Sequence, residues 1–393
     1  MTTIVFHINV LLAGGIEKVL IDLLRALDPA KYRMKLSVGY HLQELEVLKG
    51  SIPSYVEIIY LVDKPSLTFA KKKRIAGNLS IPGKLYNELV LSPLQRLLWK
   101  RRLAEVTKDA DVVIDFDTTL APYYKLLAGK KKIAYSHFSL AHYWQEHGNA
   151  GRRDKLAARL SHYDKVIMIC DEMKEEAIKL YPQLKDKAVR LYNAFDQEKI
   201  KAAAEAPLAL PGGVNKDNYF LSLGRLNESQ KDVSTLIKAY AASVRKYDIT
   251  EPLVIVGDGP DRASLETLVN EEGVAAQVFF TGFSHNPYPW IKHAKLFLFS
   301  SKNEGLPTVL IEALALAKPV VATACPTGVK EILMYGKAGK LLPVGDVAEM
   351  CEAIWELKDN EAMQAGYREH AQQVLKEFDI TTVIKQFEDK VIN

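Results

Sequence analysis

The chain has 393 residues, too many for one hydrophobic core and enough for two domains of ordinary size. With 48% hydrophobic and 25% charged residues it has a globular composition, and no apolar run approaches the ~20 residues of a membrane span. The net charge of +4 is unevenly spread: residues 1–200 hold 32 Lys and Arg against 23 Asp and Glu, and the remainder 20 against 25, so a basic front half and an acidic back half are expected to face different partners.

Strand-like and helix-like runs alternate along the chain. The opening MTTIVFHINVLLAGG lacks a basic leader and a small-residue cleavage site, and a helix pattern over 15–27 follows it directly. It reads as a first core strand rather than a signal peptide. KLSVGY, VEIIYLV, DVVIDF, KKIAYS and KVIMIC are further strand candidates in the first half; YFLSLG, LVIVGD, VFFTGF, KLFLFS and PVVAT follow in the second. This βαβα order predicts an α/β chain of two Rossmann-like, doubly wound domains facing across a cleft. The pattern weakens over 193–218, where an Ala-rich helix precedes LPGGVNKDN. The expected domains are therefore 1–195 and 196–378, with a final helix over 379–393 packing back on the first.

Ligands of such sheets bind beyond the carboxyl ends of the strands, where strand order reverses. Each candidate motif falls at such an end. Gly14 and Gly15, in AGGIEK, allow backbone amides to approach an anion, although a plain strand-to-helix turn needs glycine as often; the run is not G-x-G-x-x-G. Asp115 and Asp117 in DFD have the spelling of a metal motif but read as an ordinary strand end, and no metal site is expected. His137 ends the strand KKIAYS and would stand opposite the second-domain motifs across the cleft, with His142, Tyr143, Trp144 and His147 in the loop after it. In GRLNESQK, Arg225 and Lys231 are two cations able to clamp a diphosphate, or two solvated residues of a turn. Asp258 and Gly259 of VIVGDGP shape a tight turn. Backbone near Gly282 and Phe283 of VFFTGF can meet a nucleobase edge, while the Phe283 ring reads as core or as base platform. The three cysteines, Cys170, Cys325 and Cys351, have neither metal-ligand nor redox spacing and fit reduced cytosolic thiols.

The run EGLPTVLIEAL, residues 304–314, is the most informative. It follows a buried strand (KLFLFS) and turns helical after Pro307, which is suited to a first helical position. Glu304 then lies in the loop and Glu312 about two turns along the helix. Two carboxylates so placed accept hydrogen bonds from the hydroxyls of a polyol at either end of a ligand, and the helix N-terminus between them attracts an anion. Polyol, anion, polyol is the shape of a nucleotide sugar.

Together these motifs resemble the group 1 retaining glycosyltransferases of GT-B fold, over nearly the whole chain and most closely over 219–345. Glu304 and Glu312 match the family's E-x7-E signature. NAFD, 193–196, is similar to its N-G-x-D hinge with Ala194 in place of glycine, and the spacing from Arg225 to Lys231 is one residue longer than the commonest form. The resemblance implies that Glu312 holds the ribose, that Glu304 and the amides of Gly305, Leu306 and Pro307 contact the donor sugar, and that Arg225, Lys231 and the amide of Gly15 meet the diphosphate. It places His137 beside the donor sugar. It implies a metal-independent transfer of a hexose or N-acetylhexosamine from a nucleotide sugar, by default UDP-linked, with no cofactor. The acceptor would be a glycan or lipid-linked oligosaccharide of cell-surface polysaccharide or lipopolysaccharide assembly. The basic, Leu-rich stretch 71–102 reads as a surface for anionic membrane or as a solvated helical face, with nucleic acid disfavoured. The expected location is cytoplasmic, peripheral on the inner face of the membrane. A nucleotide-sugar 2-epimerase of the same fold and a non-catalytic glycosyltransferase-like scaffold are the competing readings.

Overall fold

The computed structural model describes residues 1–12, 14–75, 77–141 and 150–392, apart from the side chain of Ala150. The chain divides into two compact units, the first comprising residues 1–169, 174–194 and 383–393, and the second residues 170–173 and 195–382.

The first unit is built on a seven-stranded parallel sheet in the order β3-β2-β1-β4-β5-β6-β7. Its strands are β1 (Thr2–Ile8), β2 (Tyr32–Tyr40), β3 (Glu57–Val62), β4 (Val112–Asp115), β5 (Lys131–Ser136), β6 (Lys165–Met168) and β7 (Ala188–Arg190). The second has a six-stranded parallel sheet in the order β10-β9-β8-β11-β12-β13, from β8 (Phe220–Leu223), β9 (Leu253–Val256), β10 (Val278–Gly282), β11 (Leu296–Phe299), β12 (Val320–Thr323) and β13 (Lys340–Leu342). Every residue of β4, β9, β11 and β12 is buried. Helices cover both faces, so these strands are continuous apolar runs rather than alternating ones. In the second unit, Ile237 and Tyr240 of helix Val233–Tyr247, with Met350 and Ile354 of helix Val347–Lys358, pack in one core with Phe220, Leu253 and Leu296.

The two sheets share one winding rule. Each grows outward on one side of its first strand and then restarts on the other, so strand order reverses between β1 and β4 and again between β8 and β11. All eleven strand candidates of the sequence are strands here; β7 and β13, of three residues each, are the additions. The helix after β11 spans Thr308–Ala315, so Pro307 stands one residue earlier than expected, in the cap position with an extended ψ of 101°. Asp196 caps helix Gln197–Ala203, its carboxylate accepting from the Lys199 amide at 2.9 Å.

The C-terminal helix Ile380–Phe387 begins among residues of the second unit and ends among those of the first. Beyond it, the Glu388 carboxylate accepts from the Tyr32 hydroxyl at 3.0 Å, and Lys131 donates to the Ile392 carbonyl at 2.8 Å. In the basic stretch, helix Ile81–Tyr86, a π-turn and helix Ser92–Val106 run on from one another, anchored by buried Leu91, Gln95, Trp99 and Leu103. Ile81, Leu85, Leu89 and Leu97 on the same run are 73%, 54%, 71% and 65% exposed. No helix among the described residues is long and apolar enough to cross a membrane.

Candidate active site

The second unit gathers its motifs at the reversal between β8 and β11. Arg225 leaves the end of β8 and is exposed. The loop that follows is stitched to the loop after β11: the Lys302 amide donates to Gln230 O at 2.7 Å, Ser300 Oγ to Lys231 O at 3.1 Å, and Lys302 Nζ to Glu228 O at 2.8 Å. This seam brings Lys231 Nζ to 2.5 Å from Glu304 Oε1, in a pair whose side chains are 19% and 7% exposed. Ser301 Oγ donates to the same oxygen at 2.7 Å. The backbone of residue 304 is also held, its amide donating to Pro326 O at 2.6 Å and its carbonyl accepting from Thr327 Oγ1 at 3.0 Å. The Glu304 carboxylate therefore has one fixed position. Lys231 spends one of its three N–H donors on it and can turn the others to an anion. Gly224, Arg225, Lys231 and Phe299 line a small pocket there.

Close backbone approach explains the glycines of VGDGP. A Cβ on Gly257, whose φ is +143°, would lie 1.8 Å from Gly224 O, and one on Gly259 would lie 2.1 Å from Leu226 O. The loop after β9 thus rests on the loop carrying Arg225, with the Leu226 amide donating to Asp258 O at 3.0 Å. Gly282, at φ +78°, ends β10, and its carbonyl accepts from the Gly257 amide at 2.8 Å. Phe283 is 64% exposed, its ring edge-on to that of His285, which overturns its reading as core. Glu312 is partly buried on helix Thr308–Ala315, following Gly305, Leu306 and Pro307.

In the first unit, Gly14 precedes helix Gly15–Ala26. Sequence reasoning passed over Glu17, the acid of GGIE. Its side chain folds back so that Oε1 accepts from the Leu12 amide at 3.2 Å and Oε2 lies 2.3 Å from where a Gly14 Cβ would stand. Burial raises its pKa. A Cβ at Gly14 would displace the Glu17 carboxylate, whereas the space beside Gly15 is open.

The DFD carboxylates serve the fold. Asp115 accepts from the Leu120 amide at 3.0 Å and the Tyr163 hydroxyl at 2.8 Å; Asp117 accepts from the Asn9 amide at 2.8 Å and from Thr119 Oγ1 at 2.5 Å. Burial raises both pKa values. His137 follows β5, its ring 4.8 Å from that of Phe116 and stacked on Tyr135 at 5.7 Å. Burial lowers its pKa to about 4, partly offset by a hydrogen bond to the Phe116 carbonyl. The imidazole is neutral at pH 7, and its Nε2 is shielded and has no partner among the described residues. His142, Tyr143, Trp144 and His147 lie outside the described residues. The three cysteines are buried and unbridged, and burial raises the pKa of each thiol, that of Cys170 to about 12.

Residues 211–374 match the family model described as glycosyl transferases group 1. These residues form a group 1 glycosyltransferase domain. The chain is 28% identical over 377 residues to N-acetylgalactosamine-N,N'-diacetylbacillosaminyl-diphospho-undecaprenol 4-alpha-N-acetylgalactosaminyltransferase of Campylobacter jejuni, covering 93% of each chain. It is 28% identical over 182 residues to the lipopolysaccharide core biosynthesis glycosyltransferase LpsE of Rhizobium meliloti, covering 46% of this chain and 48% of that one. The chain spans about half the length of this and other curated relatives. HepE of Anabaena, solved in complex with UDP, superposes with a TM-score of 0.76 at 17% identity, with 100% of both chains covered. The fold is GT-B, two parallel-sheet Rossmann-like units.

Proposed function

We propose that this glycosyltransferase is retaining and metal-independent, and moves a hexose or N-acetylhexosamine from a UDP-sugar to a glycan or lipid-linked acceptor in cell-surface polysaccharide or lipopolysaccharide assembly. The observation that carries this reading is the Lys231–Glu304 pair at the β8/β11 reversal, with Arg225 beside it and Glu312 on the next helix. It supplies cations for a diphosphate and carboxylates for the hydroxyls on either side of it. UDP as the nucleotide is supported by the ligand of the HepE structure, and a lipid-linked acceptor by the name of the Campylobacter relative.

In this mechanism the anomeric C–O bond breaks and its electron pair goes to the terminal phosphate. Arg225, Lys231 and the helix N-terminus at Thr308 stabilise the charge that develops, as preorganised electrostatics with no metal and no cofactor. The acceptor hydroxyl attacks the same face, and its proton passes to the departing phosphate oxygen. Configuration is retained without an enzymatic nucleophile. Glu304 orients the donor sugar, Glu312 the ribose, and backbone near Gly282 and Phe283 the base. Gly14 and Gly15 offer amides to the diphosphate, and the neutral His137 accepts a hydrogen bond from a sugar hydroxyl at Nε2. The exposed apolar residues of 81–97, interleaved with Lys84 and Arg96 and followed by Lys100 and Arg101, lie on an anionic membrane at its cytoplasmic face.

The test is release of free nucleotide from a panel of UDP- and GDP-sugars in EDTA, by wild type and Glu312→Ala. Turnover of one donor that survives EDTA and falls at least tenfold in the variant is expected. Turnover abolished by EDTA, or binding of every donor without cleavage even when candidate acceptors are supplied, would overturn it.

A further inference from the structure

A second set of cations, in the first unit, has no ion-pair partner among the described residues. At the end of β2, Tyr40 forms an aromatic wall with Trp99 and Tyr123, the Trp99 ring lying 6.4 Å from Tyr40 and 5.1 Å from Tyr123. Trp99 Nε1 donates to Gly39 O at 3.2 Å, and a Cβ on Gly39 would stand 2.8 Å from the indole. Against this wall Lys71, from helix Pro65–Ile75, places its ammonium 5.3 Å over the Tyr40 ring. Arg96 stands one turn before Trp99 on helix Ser92–Val106, on the face that carries the indole to this wall, and its charge opposes the burial-raised pKa values of Tyr40 and Tyr123.

Neither cation has an ion pair or charged hydrogen-bond partner among the described residues. The contrast with the next residue is direct: Lys72 pairs with Glu44 at 2.8 Å and donates to Gln43 at 2.9 Å. The carboxylate that Lys71 feels is Asp117, which is already committed to Asn9 and Thr119. Burial lowers the Lys71 pKa, Arg74 adds to the effect and Asp117 opposes it. A partly buried ammonium without a counter-ion is unfavourable, and an arriving anion relieves it through charge-assisted hydrogen bonds. Arg96 also shares its helical run with the exposed apolar stripe Ile81, Leu85, Leu89 and Leu97. Cations above and an apolar strip alongside have the polarity of a phosphorylated chain, head and tail.

We propose that Lys71 and Arg96, against Tyr40 and Tyr123, bind a phosphate or diphosphate group of the acceptor. This rests on the acceptor role proposed above for the first unit and names the anion that role would require. The site is separate from the cations assigned to the donor diphosphate, Arg225 and Lys231, which belong to the other unit.

Titration calorimetry with inorganic pyrophosphate, in saturating UDP so that the donor site is filled, tests the site in wild type, Lys71→Gln and Arg96→Gln. Pyrophosphate should bind the UDP-saturated wild type, and each variant should weaken it at least tenfold while keeping wild-type UDP affinity, which checks folding. No pyrophosphate binding by wild type, or equal binding by the variants, overturns the proposal. Geranyl diphosphate distinguishes the sources: binding severalfold tighter than pyrophosphate, with the gain lost in Leu89→Ser, assigns the phosphate to a lipid, and equal binding assigns it to a soluble acceptor. If wild type does not bind UDP, the donor reading fails instead, and the pyrophosphate titration without UDP still reads Lys71 and Arg96.

Discussion

The loops beyond the two strand-order reversals are made in opposite ways. Beyond β8 and β11 the charges come in opposed pairs, Lys231 with Glu304 and Lys302 with Asp232, on loops stitched to each other through their backbones. Beyond β1 and β4 and at the end of β5, burial pushes the polar groups toward neutrality: Glu17, Asp115 and Asp117 have raised pKa values, and His137 a lowered one. An ammonium held by one carboxylate keeps further N–H donors for a ligand and is not left bare when the ligand departs, which suits a site that receives and releases a diphosphate. A shielded neutral imidazole instead offers a lone pair in a low-dielectric wall, where a hydroxyl hydrogen bond is worth more than in water.

The largest effect should come from breaking the charge pair. Glu304→Gln keeps the size of the side chain and removes its charge. Donor turnover should fall on the order of a hundredfold, or about 3 kcal/mol. UDP affinity should hold or rise, because Lys231 no longer shares its ammonium. Nucleotide release and UDP calorimetry read the two effects separately. A parallel loss of UDP binding would mean that Glu304 only holds its loop together.

Next in size is Gly257→Ala, which places a Cβ 1.8 Å from the Gly224 carbonyl at a φ of +143°. The β9 loop must move off the loop that carries Arg225. A stability loss of about 2 kcal/mol, with weaker UDP binding, is expected. Thermal melts and UDP titration check it, and Gly213→Ala, where φ is also positive but no atom lies within 4 Å, separates strain from collision.

The buried histidines sharpen the other side of the comparison through pH. His7 in β1 is fully buried, its Nδ1 3.1 Å from Ser37 Oγ, and burial lowers its pKa to about 3. The folded state therefore binds its proton less readily than the unfolded state, whose pKa is near 6.5. The stability it contributes is complete above pH 6.5 and is lost as pH falls toward 3. Asp115, Asp117 and Glu17, with raised pKa values, act in the opposite sense, so wild type alone is not diagnostic. Relative to His7→Phe, wild type should lose about 2 kcal/mol between pH 7.5 and pH 5. Denaturant melts at the two pH values measure it, and parallel slopes would show that His7 is not held neutral.

How much of this was visible in the sequence depends on how local the cause is. Buried parallel strands are continuous apolar runs, so β11 and β12 stand out as KLFLFS and PVVAT, and the loop and helix after β11 place Glu304 and Glu312 with them. A three-residue strand such as β13 has too few residues to show any period. Lys231 could be read as a cation near a diphosphate, but its pairing with Glu304, 73 residues away, depends on a seam of loop-to-loop hydrogen bonds that no spacing encodes. Phe283 was ambiguous because an aromatic residue after a strand looks the same whether the chain turns inward or outward. Glu17 left a signal, an acid three residues after a glycine. Its fold-back onto Gly14 follows from the loop geometry, which composition does not reveal.

The smallest effect bears on a reading that the sequence left open, whether Gly15 is needed for a turn or for an anion. A Cβ at Gly15 meets nothing within 4 Å, and the residue opens a helix, where alanine is favourable. Gly15→Ala should therefore leave stability unchanged or raise it by less than about 1 kcal/mol. If the amide of residue 15 lies against the donor diphosphate, the added methyl group should raise the donor KM severalfold with little change in kcat. If the glycine serves only the turn, both constants should stay at wild-type values. Gly14→Ala is the informative control: its Cβ would lie 2.3 Å from Glu17 Oε2, so it should dislodge the carboxylate whether or not a donor is bound. A rise in KM with Gly15→Ala at unchanged melting temperature would then be a steric effect on the ligand and not on the fold.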